Sequence, residues 1–127
     1  MYNPKEDVLL FFKFYDPKTS TLKYVCHLCF PTSTTLKDVE ESLNLKMKFP
    51  LKTELLFFEE IRMSEIKPMP NKDFTLEQLG ETQLLDGDIY VFQINDKLIQ
   101  QYKLPTVIDY FKLVSFYISS SSPIIKS

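Results

Sequence analysis

The stretch "LLDGDIYVFQ", from Leu84 to Gln93, joins a turn signal to a strand signal and decides the fold. Asp86 and Asp88 flank Gly87, which is one of only two glycines in the chain. Glycine takes positive φ at no steric cost, and aspartate side chains bind nearby backbone amides in turns. The tripeptide therefore predicts a tight turn, and the β-forming residues that follow it predict the last strand of a domain.

Two other chemical uses of these carboxylates do not fit the sequence. A calcium loop needs alternating oxygen ligands and a distal glutamate, and this pattern is missing here. A catalytic pair needs a partner, and the single histidine, His27, is far away in sequence with no motif that links it to the pair. We therefore interpret the stretch as a turn that leads into a strand, and we predict no catalytic residue.

The pair Cys26 and Cys29 suggests zinc or redox chemistry by its spacing. A structural zinc site needs four ligands, and the sequence contains no second pair of Cys or His. Residues three apart on a strand point to opposite faces, so we do not expect the two thiols to share a metal. A redox pair normally opens a helix, whereas this pair lies on a predicted strand. We predict two ordinary strand cysteines, no metal and no cofactor.

Four segments before the turn have clear local signals. Runs of β-formers predict strands at Val8–Tyr15 and Leu22–Phe30, joined as a hairpin, and at Glu54–Ile61. A capping threonine and an apolar stripe predict a helix near Thr35–Asn44. A hairpin followed by one amphipathic helix must lay the helix stripe on one face of the sheet. This order indicates an α+β fold, and the β-grasp is the arrangement that we favour among the packings that share it.

The region between the third strand and the turn is less regular. Pro68 and Pro70 predict a loop at residues 64–73, and residues 74–80 predict one short helical turn that ends at Gly80. The chain has 127 residues, which favours one domain, and no apolar run long enough to span a membrane. Its net charge of −2 argues against general affinity for nucleic acid. The charged N-terminus lacks a signal core, so we expect an intracellular protein, in the nucleus or cytoplasm.

Four motifs carry a family resemblance, in register from about Asp7 to Phe111. They are "LLFFKFYDPKTSTLKYVCHL" from Leu9, "LFFEEI" from Leu56, "LLDGDIYVFQ" and "LPTVIDYF" from Leu104. The sequence resembles a ubiquitin-like domain in the C-terminal half of the herpesvirus-associated ubiquitin-specific protease (HAUSP) family, including its plant relatives. The resemblance implies a ubiquitin-like β-grasp, a mixed sheet packed on one helix with the first and last strands parallel, followed by a C-terminal linking helix.

The resemblance also implies a division of the chain and a function. We expect an N-terminal extension at 1–6, the ubiquitin-like domain at 7–94, a linker and C-terminal helix at 95–118 and a disordered tail at 119–127. The family enzymes are thiol proteases that remove ubiquitin, and the domain resembled here is a non-catalytic module. It docks substrates and ubiquitin ligases through an acidic face that receives Lys-rich peptide segments.

Carried over by residue, the resemblance assigns partner binding to Asp86 and Asp88. The sequence departs from the family just upstream, where Thr82 and Gln83 stand in place of the acidic residues of the animal enzymes. Glu81 lies close in sequence and is expected to compensate in part. We therefore predict docking through a reduced acidic face, by a monomer with protein partners and without nucleic acid or membrane.

The first strand carries a second candidate surface, because it is apolar on both faces. Leu9, Phe11 and Tyr15 share the face away from the helix stripe. Either the loop at residues 61–74 covers them, or they form an exposed apolar contact with the parent enzyme or a sister domain. The alternative functions are thus an intramolecular module that regulates or packs on a parent deubiquitinase, or a stand-alone short relative with an adaptor role. We expect no enzyme activity from this chain alone, and its ending, "IIKS", discourages a conjugated modifier.

Overall fold

The computed structural model describes residues 6–62, 65–80 and 86–121. Among these residues, no helix is both long enough and apolar enough to cross a membrane. The elements in chain order are β1 (Asp7–Asp16), β2 (Thr21–Pro31), α1 (Leu36–Met47), β3 (Leu55–Arg62), β4 (Glu65–Pro68), α2 (Leu76–Leu79), β5 (Asp88–Ile94), a short 3-10 helix (Ile99–Gln101) and α3 (Val107–Ser121).

The strands form one mixed sheet in the order β2-β1-β5-β3-β4. Strands β1 and β5 are parallel neighbours, with Phe12 opposite Tyr90, and the other pairs are antiparallel. Helix α1 packs on one face, where Leu36, Val39 and Leu43 are fully buried. The α+β fold and the parallel pairing of the first and last strands are confirmed.

Helix α1 begins where the sequence predicted it. The Thr35 side chain accepts a hydrogen bond from the Asp38 amide, which satisfies one of the unpaired donors at the start of the helix. The helix ends at Met47, three residues beyond the predicted end, and Lys48 closes it in a left-handed conformation. Helix α2 also begins at a threonine cap, Thr75, and is followed by Gly80 as predicted.

The predicted loop at residues 64–73 is wrong in its first part, because Glu65–Pro68 forms β4. This strand is the outer edge of the sheet, and its last residue, Pro68, lies opposite Phe58. Proline lacks an amide donor, but an edge strand needs donors on one side only and tolerates proline at its end. The two prolines therefore limit the length of the strand without preventing it.

A second apolar layer covers the other face of the sheet. It consists of residues 104–111, here called the covering segment, together with side chains of the sheet. Tyr15, Phe58 and Val91 are buried against Val107 and Phe111, and the Tyr15 hydroxyl donates to the Leu104 carbonyl at 2.6 Å. Of the two alternatives, the covering loop at 61–74 contributes little to this layer, since among its described residues only Ile66 joins it.

A buried glutamine fixes the start of α3. Gln93 on β5 is fully buried; its Nε2 donates to the Pro105 carbonyl at 2.9 Å, and its Oε1 accepts from the Val107 amide at 3.0 Å. The division between a domain at 7–94 and a linker at 95–118 stays a prediction, although this packing argues for one folded unit. Helix α3 extends to Ser121, so the predicted start of the tail at 119 falls within the helix. The disordered tail stays a prediction, and residues 122–127 lie outside the described residues.

The buried tyrosines predict a loss of stability at alkaline pH. Burial raises the pKa of Tyr90, and the charges of Glu59 and Asp88 raise it further. The unfolded chain releases this proton near pH 10 while the folded chain retains it, so stability is intact below about pH 10 and falls above it. We expect a slope of up to about 1.4 kcal/mol per pH unit from this residue.

Urea unfolding between about pH 8 and about pH 11 measures this slope. Tyr90→Phe removes the titrating group and should flatten the decline, whereas the exposed Tyr24→Phe should not change it. Equal slopes in the wild type and in Tyr90→Phe would show that the buried hydroxyl does not control alkaline stability.

Candidate protein-docking surface

The predicted turn lies against the first half of β1. The Leu9 amide donates to Asp86 Oδ1 at 2.8 Å, and the Gly87 amide donates to the Leu9 carbonyl at 2.8 Å. Gly87 has φ of +91°, a conformation that L side chains rarely adopt. Asp86 is exposed, and Asp88 is half-buried at the start of β5. The turn is confirmed, and Asp86 has a structural contact in addition to its predicted role.

An aromatic cluster stands beside this turn. The Phe11 ring lies 6.2 Å from the Tyr24 ring and 5.8 Å from the His27 ring, and the Tyr24 hydroxyl lies 2.8 Å from His27 Nδ1. A Cβ atom built on Gly87 would lie 3.9 Å from Phe11 Cε2, so the Phe11 ring lies close to the turn. The acidic turn and the apolar first strand were separate candidates in the sequence analysis. The structure places the turn and the first half of β1 side by side.

We call this combined region the docking surface. Its apolar part is half-buried or exposed, and its acidic part lies at the edge nearest the N-terminal half of β1. It consists of Leu9, Phe11, Tyr24, His27, Asp86 and Asp88.

Tyr15 does not belong to the docking surface, so its predicted role as an exposed apolar contact is wrong. It points to the same face as Leu9 and Phe11, but its exposed fraction is 0% because the covering segment lies over it. Lys13 stands between the two halves of this face and forms an ion pair with Glu60 at 2.9 Å. The covered half thus ends at a polar boundary, and the uncovered half begins beyond it.

The contribution of β2 to the docking surface was not predicted from the sequence. The hairpin register shifts at the pair Phe12/Lys13, so that Val25 is an extra residue and His27 lies opposite Phe11. A bulge has no strong sequence signal, and without it the partner of Phe11 is displaced by one residue. Glu81 of the predicted site, together with its neighbours Thr82 and Gln83, lies outside the described residues.

The two cysteines occupy opposite environments. Cys26 is buried and Cys29 is exposed, as expected for residues three apart on a strand. Burial raises the pKa of the Cys26 thiol, which keeps it protonated and unreactive. In the described part of the chain, no three side chains of His, Cys, Asp or Glu are grouped as metal ligands. The chemistry offered by the docking surface is that of carboxylates beside aromatic rings.

The sheet order, the single helix over one face and the closing turn define a ubiquitin-like domain of the β-grasp class. The solution structure of the C-terminal ubiquitin-like domain of mouse tubulin-specific chaperone e matches with a TM-score of 0.54 over 72% of this chain and 89% of that one. Its sequence identity is 18%, so this likeness supports the fold alone.

The chain belongs to the family described as the ICP0-binding domain of Ubiquitin-specific protease 7, whose model matches residues 1–119. It is 31% identical over 110 residues to Ubiquitin carboxyl-terminal hydrolase 7 of Drosophila melanogaster, covering 87% of this chain and 10% of that protein. It is 36% identical over 89 residues to Ubiquitin C-terminal hydrolase 12 of Arabidopsis thaliana, covering 70% and 8%. The chain thus spans a tenth or less of these relatives, and the predicted family is confirmed.

Proposed function

We propose that the domain is a non-catalytic docking module of a HAUSP-type deubiquitinase and binds Lys-rich segments of substrates or ubiquitin ligases. The name of the family, an ICP0-binding domain, supports a protein partner. The single observation that carries the proposal is the proximity of the acidic turn and the aromatic cluster, since the Phe11 ring lies beside Gly87, between the two aspartates.

The aliphatic stem and the ammonium group of a lysine side chain both find suitable contacts on such a surface. Its aliphatic stem packs on apolar and aromatic groups while its ammonium group stays near water and carboxylates. Phe11 and Tyr24 would receive the stem, and Asp86 and Asp88 would attract the ammonium group. Glu81 is proposed as a third carboxylate. Each exposed ion pair contributes at most about 1 kcal/mol, so binding needs several lysines or additional apolar contacts.

We further propose that this chain alone hydrolyses nothing and acts as a monomer inside the cell, in the nucleus or cytoplasm. Its similarity to the relatives falls within a non-catalytic domain of a ubiquitin-specific protease. A ubiquitin probe that captures active-site thiols should leave Cys29, the exposed cysteine, unlabelled. Covalent capture of Cys29 would contradict the proposal.

An intramolecular role is the second candidate, and exposed apolar residues on α3 favour it. Phe116 is 64% exposed and Leu113 is 38% exposed, beyond the part of the helix that covers the sheet. Such residues suit packing against a parent enzyme or a sister domain. Apolar packing depends little on salt, whereas attraction between exposed charges weakens as salt shortens the screening length.

Calorimetry with a Lys-rich peptide tests the docking proposal. Asp86→Asn and Asp88→Asn remove the charges, and asparagine at position 86 retains an oxygen that can accept from the Leu9 amide. We expect each variant to bind up to about fivefold more weakly, which corresponds to the loss of about 1 kcal/mol. Asp73→Asn, at an exposed position outside the docking surface, is the matched control and should bind as the wild type does.

The same titration at about 50 mM and about 500 mM salt separates the two candidates. Docking to the acidic turn should weaken markedly at high salt. Affinity that is independent of salt and of both substitutions would contradict the docking proposal. Gly87 is not a useful probe, because any side chain there would strain the turn.

A further inference from the structure

Strand β2 is a long edge strand, and among the described residues it pairs with β1 alone. Strand β2 has 11 residues and stands at one end of the sheet, whereas β4 at the other end has four residues and finishes at Pro68. Within the described residues, the ladder of β2 runs along β1 only. The outer side of such a strand presents alternating amide and carbonyl groups, which can pair with an added strand.

Part of this edge carries features that discourage pairing, and part of it does not. Lys23, the bulge at Val25 and Pro31 interrupt the edge at its two ends. Between them, Cys26–Phe30 runs in continuous register with β1, from the pair of Phe12 and Cys26 to the pair of Val8 and Phe30. These five residues have the length of an ordinary short strand.

The side chains beside this edge are apolar at one end and cationic at the other. Leu28 and Phe30 point to the helix side of the sheet and are only half-buried against the core. Lys23 lies opposite Phe14, whose ring packs on the same side, and it is exposed.

We propose that Cys26–Phe30 binds an extended segment of a partner protein as a sixth strand of the sheet. Main-chain hydrogen bonds supply the pairing, and the side chains on one face supply the selectivity. At alternate positions, the segment carries apolar side chains that lie over Leu28 and Phe30, then a carboxylate that faces Lys23. This partner is opposite in charge to the Lys-rich segment of the docking surface, so the two surfaces would select different partners.

A synthetic peptide of about ten residues tests the pairing. Its alternate positions are Val, Ile, Glu and Glu, the intervening ones are Thr, and a second peptide has the reversed order to allow either strand direction. We expect one of the two to shift the amide resonances of Cys26–Phe30 and to slow hydrogen exchange there by about tenfold or more. The matched controls are two forms of that peptide with alternate backbone amides N-methylated. Each form lacks the hydrogen-bond donors along one of its two edges. One form should lose binding, and the other should bind as the parent peptide does.

Charge variants of the protein test the selectivity. Lys23→Glu should weaken binding by up to about fivefold. Lys52→Glu, at an exposed lysine outside this edge, should have no effect. Equal binding of the two N-methylated forms, or no binding of either peptide at millimolar concentration, would overturn the proposal. Protection of Cys26–Phe30 that appears without peptide and rises with protein concentration would assign the edge to a second copy of this chain and would overturn it as well.

Discussion

Replacing Phe111 with alanine is expected to lower the free energy of unfolding by about 3 kcal/mol. Phe111 is 7% exposed and completes the apolar layer over Tyr15, Phe58 and Val91. Removal of its ring takes away buried apolar area and leaves a cavity that the sheet beneath cannot fill by relaxation. The effect is large because the covering segment is part of the folded unit; in a free linker the same substitution would cost little.

Urea unfolding of matched variants measures this effect. Leu113→Ala also truncates a large apolar side chain on the same helix, but at a residue that is 38% exposed, and should change stability by less than about 1 kcal/mol. A comparable small change in Phe111→Ala would mean that the covering segment does not stabilise the sheet in solution.

Replacing Gln93 with leucine is expected to destabilise the protein by about 2 kcal/mol. Leucine is close in size, so the packing changes little, but the Pro105 carbonyl and the Val107 amide both lose their buried partners. Leaving such groups unsatisfied costs more than the hydrogen bonds contribute on average, since water cannot replace the lost partner. The exposed Gln101→Leu serves as the control and should be close to neutral.

Amide hydrogen exchange shows whether the loss of stability in Gln93→Leu arises at the start of α3. In Gln93→Leu, the Val107 amide should exchange at least about tenfold faster, because it no longer donates to a buried acceptor. Wild-type stability together with a protected Val107 amide would contradict the idea that Gln93 anchors the start of α3.

Local signals made much of the fold predictable. The apolar stripe with Thr35 as its cap located α1, and the runs of β-formers located β1, β2, β3 and β5 to within one residue at each end. These features depend on neighbouring residues only, so the sequence contains them directly. The turn at Gly87 was equally local, since it rests on the conformational freedom of one residue.

The rest depended on contacts between distant parts of the chain. Leu9, Phe11 and Tyr15 have the same strand parity, and only the position of the covering segment decides that Tyr15 is buried and the other two are accessible. Strand β4 was missed because its pairing with β3 overrides the signal of Pro68. The bulge at Val25, which brings His27 opposite Phe11, is likewise set by pairing and not by local propensity.

A chemical-shift titration of the labelled domain with a Lys-rich peptide tests the central claim most directly. The amides of Leu9, Phe11 and Asp88 should shift together, because the acidic turn and the aromatic cluster form one surface. Asp86→Asn and Asp88→Asn should reduce these shifts at equal peptide concentration while the fold is unchanged. If the amide resonances of the docking surface do not shift, or if they shift equally in the wild type and in both variants, docking at the Asp-Gly-Asp turn is contradicted.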